Sequence, residues 1–180
     1  MKPIERSRIG ALTMCSARIV TTALALVAMF GGSAPIQAQE TKVKSQHGDW
    51  QKVCKTPPGS KNDICALVQD VTSESNPNVG LSVHFQNSPS GNKVLRVFAP
   101  LGILLPPGLG LQIDDRKVGH APFVRCHVVG CFAQVTLTSD LVKKFQAGKT
   151  AWFIVFQTKE AGIGIPVSLD GFTEALASLE

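Results

Sequence analysis

The stretch RCHVVGC (Arg125–Cys131) places Cys126 and Cys131 at the two ends of a four-residue spacer, with His127 beside the first. Three chemistries use such residues. A thiol-redox centre needs a low-pKa thiolate, commonly in Cys-x-x-Cys at a helix N-terminus. The spacing here is wider, and no helical pattern begins at either cysteine. A zinc site needs four ligands, and no second Cys/His pair stands at ligand spacing from His127. A disulfide needs only facing cysteines and an oxidising compartment. That requirement is the one the stretch meets.

The other residues with chemical potential are scattered. His47, His84 and His120 are each without a companion ligand set. Asp114 and Asp115 are adjacent, so on a strand they would point to opposite faces and could not act as an acid/base pair. With Arg116 and Lys117 they read better as a turn. The chain has no Gly-x-Ser-x-Gly elbow, no His-Glu-x-x-His and no phosphate-binding glycine loop followed by Lys. No catalytic residue, metal ligand or cofactor is therefore assigned.

The compartment follows from the N-terminus. Lys2, Arg6, Arg8 and Arg18 precede the apolar run Ile19 to Phe30, and then comes the small-residue segment GGSAPIQAQE. That order is a secretory signal peptide, residues 1–38, with cleavage expected after Ala38 and Ala34 as the alternative. The apolar run falls short of the roughly 20 residues of a membrane-spanning helix. Cys15 precedes the run, whereas a lipid-bearing cysteine would follow it. Ser7 separates Arg6 from Arg8, against a twin-arginine signal.

Without residues 1–38 the chain has 14 Lys+Arg against 12 Asp+Glu, so the net charge falls from +5 to +2. Scattered lysines on a nearly neutral chain give no nucleic-acid footprint. Residues 39–180 are expected to form a single domain, large enough for a real core. It keeps four cysteines, Cys54, Cys65, Cys126 and Cys131, an even count that in an exported chain implies bridges. Four cysteines allow three pairings.

The elements that must position these residues are strands. DWQKVCK (Asp49–Lys55) and ICALVQDV (Ile64–Val71) flank a turn-rich loop, with Cys54 and Cys65 near its mouth. GLSVHFQ alternates apolar and polar residues, and KVLRVFA, LGLQID, FVRC, CFAQVTLT, TAWFIVF and IGIPVSL follow between turns. About nine short strands predict an all-β fold, a sandwich with a closed barrel as the alternative. SDLVKKFQAG predicts a short helix capped by Ser139 and ended by Gly148, and GFTEALASL predicts a second. On CFAQVTLT, Cys131, Ala133, Val135 and Leu137 share one apolar face, which aims Cys131 inward. Facing residues at a hairpin mouth have Cβ atoms about 4.5–5.5 Å apart, slightly wide for a disulfide's ~3.5–4.5 Å. A small twist closes the gap, which favours Cys126–Cys131 and Cys54–Cys65.

One segment fits neither strand nor helix. PLGILLPPGLGL (Pro100–Leu111) sets Leu101, Ile103, Leu104, Leu105 and Leu109 among prolines and glycines. It is either a buried connection or an exposed apolar surface for a protein or lipid partner. These five residues are the candidate partner-binding set.

Taken in order, GDWQKVC (Gly48–Cys54), Cys65–Gln69, PLGILLPPGLGLQID, RCHVVGC and PVSLDGFTEAL resemble the invasion-associated locus B family of exported bacterial proteins. The resemblance runs from about Gly48 to Leu179 and includes all four cysteines. It implies an immunoglobulin-like β-sandwich, a periplasmic or outer-membrane-associated location, and a link to host-cell, particularly erythrocyte, invasion. It brings no active-site residues. The expected function is thus an exported, disulfide-stabilised, non-enzymatic binding or envelope protein. Its partner is an unspecified protein or envelope component, with peripheral outer-membrane association as one form. The alternatives are a periplasmic thiol-redox protein using Cys126/Cys131 and a carrier of a small apolar or lipid ligand.

Overall fold

A computed structural model describes residues 41–180; the signal peptide expected over 1–38 lies outside the described residues. Period-two alternation sorts the strands into two antiparallel sheets. The larger sheet is built from β1 (Lys42–His47), β2 (Trp50–Lys55), β3 (Ile64–Thr72), β4 (Gly80–Asn87), β5 (Lys93–Ala99), β8 (Phe123–His127) and β9 (Gly130–Thr136). Its order is β1-β2-β3-β4-β5-β9-β8. The smaller comprises β6 (Leu109–Ile113), β7 (Arg116–Ala121), β10 (Thr150–Phe156) and β11 (Gly162–Ser168), in the order β11-β10-β6-β7. Two open sheets stacked face to face make a sandwich of the immunoglobulin-like kind, and the barrel alternative falls.

Eleven strands stand where the pattern suggested about nine. The two additional ones are β1 (KVKSQH) and β7 (RKVGHA), each an outermost strand. An edge strand pairs on one side only and tolerates polar residues on both faces, so it lacks the alternation that reveals interior strands. The register breaks at bulges on β1, β7 and β8, all edge strands. Bulges twist an exposed edge away from further pairing. The fourth edge, β11, carries Pro166, a residue that a central strand would not accept.

Leu81, Val83 and Phe85 of β4, Leu95 and Val97 of β5, and Phe153, Val155, Ile165 and Val167 of the smaller sheet fill the space between the sheets. Trp50, Phe85, Phe145 and Phe172 form an aromatic cluster there, with ring centroids 4.8–5.3 Å apart for Trp50–Phe85, Trp50–Phe172 and Phe85–Phe172. Edge-to-face pairs of this kind each add about 0.5–1.5 kcal/mol beyond burial. Phe145 belongs to α1 (Ser139–Ala147) and Phe172 to α2 (Phe172–Ala177), so both helices bury their apolar residues in the same core. The cap of α1 lies one residue earlier than expected: Thr138 Oγ1 accepts from Leu141 N at 3.2 Å.

Because core residues and both helices lie on the inner side, the outer face of β4, β5, β9 and β8 is finished by side chains alone.

Candidate binding surface

The four cysteines form two bridges, Cys54–Cys65 and Cys126–Cys131. Each joins residues that stand directly opposite one another, on β2/β3 and on β8/β9. The Cα separations are 4.1 and 3.8 Å, the narrow kind of antiparallel pair, which brings the Cβ atoms within bridging reach. Cys126–Cys131 closes the hairpin whose tip is Val128–Val129. Gly130 lies so close to β5 that a Cβ there would sit 2.4 Å from the Ala99 carbonyl oxygen. The hairpin is held from both sides.

Alternation sends Ser82 and His84 of β4, Arg96 and Phe98 of β5, Phe132 and Gln134 of β9, and Arg125 of β8 to the outer face. Cross-strand register aligns them in two rows, Ser82–Phe98–Phe132–Arg125 and His84–Arg96–Gln134. The Arg96 guanidinium carbon lies 5.4 Å from the Phe132 ring centroid, and that of Arg125 lies 5.6 Å from it. His127 stacks parallel to the same ring, tilted by 6° at 6.3 Å, and Phe98 packs beside it at 5.7 Å. Phe132 is therefore buried on the side of the sheet that faces solvent, roofed by cationic side chains. Arg96 is fixed by two bonds from Nε and Nη2 to Gln134 Oε1, at 3.1 and 2.7 Å.

These arginines are not neutralised locally. From Ser75 to Ile113, and again from Arg116 to Ser139, the chain contains no Asp or Glu, yet it carries Lys93, Arg96, Arg116, Lys117 and Arg125. Among the described residues the ion pairs are Lys44–Asp63 and Lys93–Glu180, which leaves Arg96 and Arg125 without a carboxylate. The segregation is a tertiary fact as much as a sequential one, since β4, β5, β8 and β9 come together in one half of the larger sheet. A patterning search for runs without acid could have found it; a search for catalytic motifs could not.

The histidines do not converge. His84 Nε2 lies 2.8 Å from Ser82 Oγ, and His47 Nε2 lies 3.0 Å from Ser45 Oγ. Burial, with Arg96 and Lys55 adding to it against Asp70, holds the His84 pKa below its ordinary value. Its ring is neutral near pH 7. Asp114 has a structural task in the β6–β7 turn. Its Oδ1 accepts from Lys149 N and Thr150 N at 3.0 and 3.1 Å, which keeps its carboxyl below the usual carboxylate range.

The Pro100–Leu111 segment divides. Leu101 and Leu105 are 55% and 41% exposed, and Leu104 is half-buried, with its N–H donated to Phe156 O. Ile103 packs against the core, and Leu109, 5% exposed, lies within it on β6. Leu109 also lines, with Leu95, Val135, Phe153 and His120, an apolar cleft of about 180 Å³ between the sheets.

A stapled two-sheet sandwich whose most distinctive feature is a cation-roofed aromatic on an uncovered sheet face defines a class of β-sandwich domain. The family model described as Invasion associated locus B (IalB) protein matches residues 50–180. The chain belongs to that family. Its fold is similar to the crystal structure of invasion associated protein B from Bartonella henselae, with a TM-score of 0.63 and 21% identity, covering 78% of this chain and 94% of that one. A search among curated proteins gives no match.

Proposed function

We propose that this is an exported protein of the bacterial envelope that acts by binding, not catalysis, and contributes to host-cell entry. The observation that carries the binding assignment is the Arg96–Phe132–Arg125 arrangement, in which neither guanidinium is paired with a carboxylate among the described residues. Two guanidinium groups over one aromatic ring, that of Arg96 held by Gln134, fit an acidic partner, since Arg presents planar donors to carboxylate or phosphate. Leu101, where the chain passes Gly130 on leaving β5, adds exposed apolar area at the edge of that face. Family membership supports the entry role, and two bridges suit an oxidising compartment such as the periplasm or the outer membrane.

Two observations favour binding over chemistry. Cys126 and Cys131 are joined to each other, and the Ser82–His84 pair sits on an open sheet face instead of in a cleft. For the carrier alternative, the apolar cleft between the sheets is about 180 Å³, below the roughly 300–1,000 Å³ of typical ligand sites, and the larger hollow of about 600 Å³ is lined largely by charged residues such as Asp114, Asp115, Arg116, Lys117 and Lys144.

The test is photo-crosslinking in intact bacteria from a reactive residue at Thr136, exposed on the same face of β9, followed by partner identification and a host-entry assay. Loss of the crosslink in Arg96→Glu, with the fold retained and entry reduced, is the expected result. An undiminished crosslink and normal entry in that variant would overturn the assignment.

A further inference from the structure

We propose that the β8–β9 hairpin tip is a membrane probe: Val128 and Val129 enter the interface of an anionic lipid bilayer while Arg125 meets its headgroups. The two valines are 92% and 86% exposed, the highest exposure among the large apolar residues of the described chain. They are consecutive, and Leu101, also exposed, leaves β5 beside Gly130 at the base of the same tip. A hairpin tip needs only turn-forming polar residues, so two bulky β-branched side chains there have no role in holding the fold.

The tip is rigid. Cys126–Cys131 bridges the strands just below it, and Gly130 is pressed against the Ala99 carbonyl. A preorganised loop loses little conformational freedom on docking. Arg125 lies three residues behind Val128, a rise of about 10 Å at roughly 3.3 Å per residue. That spacing sets the guanidinium at headgroup level when the valines sit about 5–10 Å into the headgroup/acyl boundary.

Charge selects an anionic surface. The hairpin lies within the Arg116–Ser139 stretch that has no Asp or Glu, and Arg125 has no carboxylate partner among the described residues. Shape selects a bilayer over a protein. The apolar area is a convex point of two residues, far from the roughly 800 Å² per partner that a stable protein interface buries, whereas an interfacial wedge needs no more. Among the described residues no helix is long and apolar enough to cross a membrane.

The experiment is co-sedimentation of the protein recovered after export, with the leader removed and both bridges formed, with vesicles of phosphatidylcholine alone or mixed with phosphatidylglycerol. Binding to the mixed vesicles only is expected. It should fall by about tenfold or more in Val128→Ser/Val129→Ser, in which no charge is added, and by about fivefold in Arg125→Gln. Val129→Trp should give a blue-shifted emission on mixed vesicles that Trp50 and Trp152 of the parent do not. Since both valines are exposed, unchanged circular dichroism and denaturation midpoint verify the fold of each variant. No vesicle binding by the parent, or full binding by the double variant, overturns the proposal. If the double variant instead loses a protein crosslink while the parent ignores vesicles, the tip docks into a protein and the bilayer assignment fails. The Thr136 crosslink uses no vesicles, so the acidic-partner assignment stands or falls separately.

Discussion

The side chain of Gln69 and the backbone of Ser168 exchange two hydrogen bonds, Nε2 to the carbonyl oxygen at 3.1 Å and the amide to Oε1 at 3.0 Å. Gln69 is a buried polar residue on β3 of the larger sheet, and Ser168 ends β11 of the smaller one. The carboxamide reproduces what a neighbouring strand would offer, so it ties one sheet to the free edge of the other. Trp50 Nε1 donates to the same carbonyl at 3.0 Å.

Gln69→Leu keeps the volume and removes both bonds. It leaves the Ser168 N–H without its partner, a loss of about 1–3 kcal/mol. Urea denaturation should show a lower midpoint with an unchanged slope. Gln69→Glu should be no better, because it loses the donor and sets a carboxylate against a carbonyl oxygen.

The two bridges should differ in worth. Loops of 11 and 5 residues give chain-entropy estimates of about 2.8 and about 2 kcal/mol. Cys54→Ser/Cys65→Ser is thus expected to lower Tm more than Cys126→Ser/Cys131→Ser. Thiol titration of the unreduced protein should find no free thiol among these four, which would remove the thiol-redox alternative.

His84 makes stability depend on pH. Its folded pKa is depressed, so below about 6.5 the unfolded chain binds the proton more readily than the folded one. Stability is full above that pH and is lost as pH falls towards the folded pKa. Denaturation midpoints at pH 7.5 and 5.5 should diverge in the parent and converge in His84→Gln. A second loss, below the ordinary carboxylate pKa, belongs to Asp114, whose charged form accepts two backbone N–H bonds.

Leu101→Asp and Leu109→Asp should separate a surface from a core. Leu109 is packed between the sheets, and an unpaired carboxylate there has no partner, so Leu109→Asp is expected to prevent folding. Leu101→Asp should change the unfolding free energy by less than about 0.5 kcal/mol, as exposed substitutions do. Comparing the two by circular dichroism and melting gives the answer directly.

Local chemistry was enough to reveal nine of the eleven strands, the two helices and both bridges. Period-two alternation shows wherever one face of a strand must be apolar, and the cysteines face each other across short turns. β1 and β7 stayed hidden because an edge strand has no such obligation. The Pro100–Leu111 segment read as one apolar unit, although Leu109 and Leu101 differ completely in exposure. Hydrophobicity is a property of a residue, whereas burial depends on which elements arrive beside it.

What the sequence by itself determined is therefore the set of strands, the inward parity of Cys131 and Ala133, the pairing-ready cysteines and the family resemblance. Only the tertiary structure decided where β8 would lie. By pairing with β9 beside β5, it brought Arg125, Arg96 and Phe132 together across three strands. Phe132 is on the polar parity of its strand and would be exposed in an isolated hairpin. Two arginines separated by 29 residues cover it because sheet register, and not spacing along the chain, sets which side chains meet.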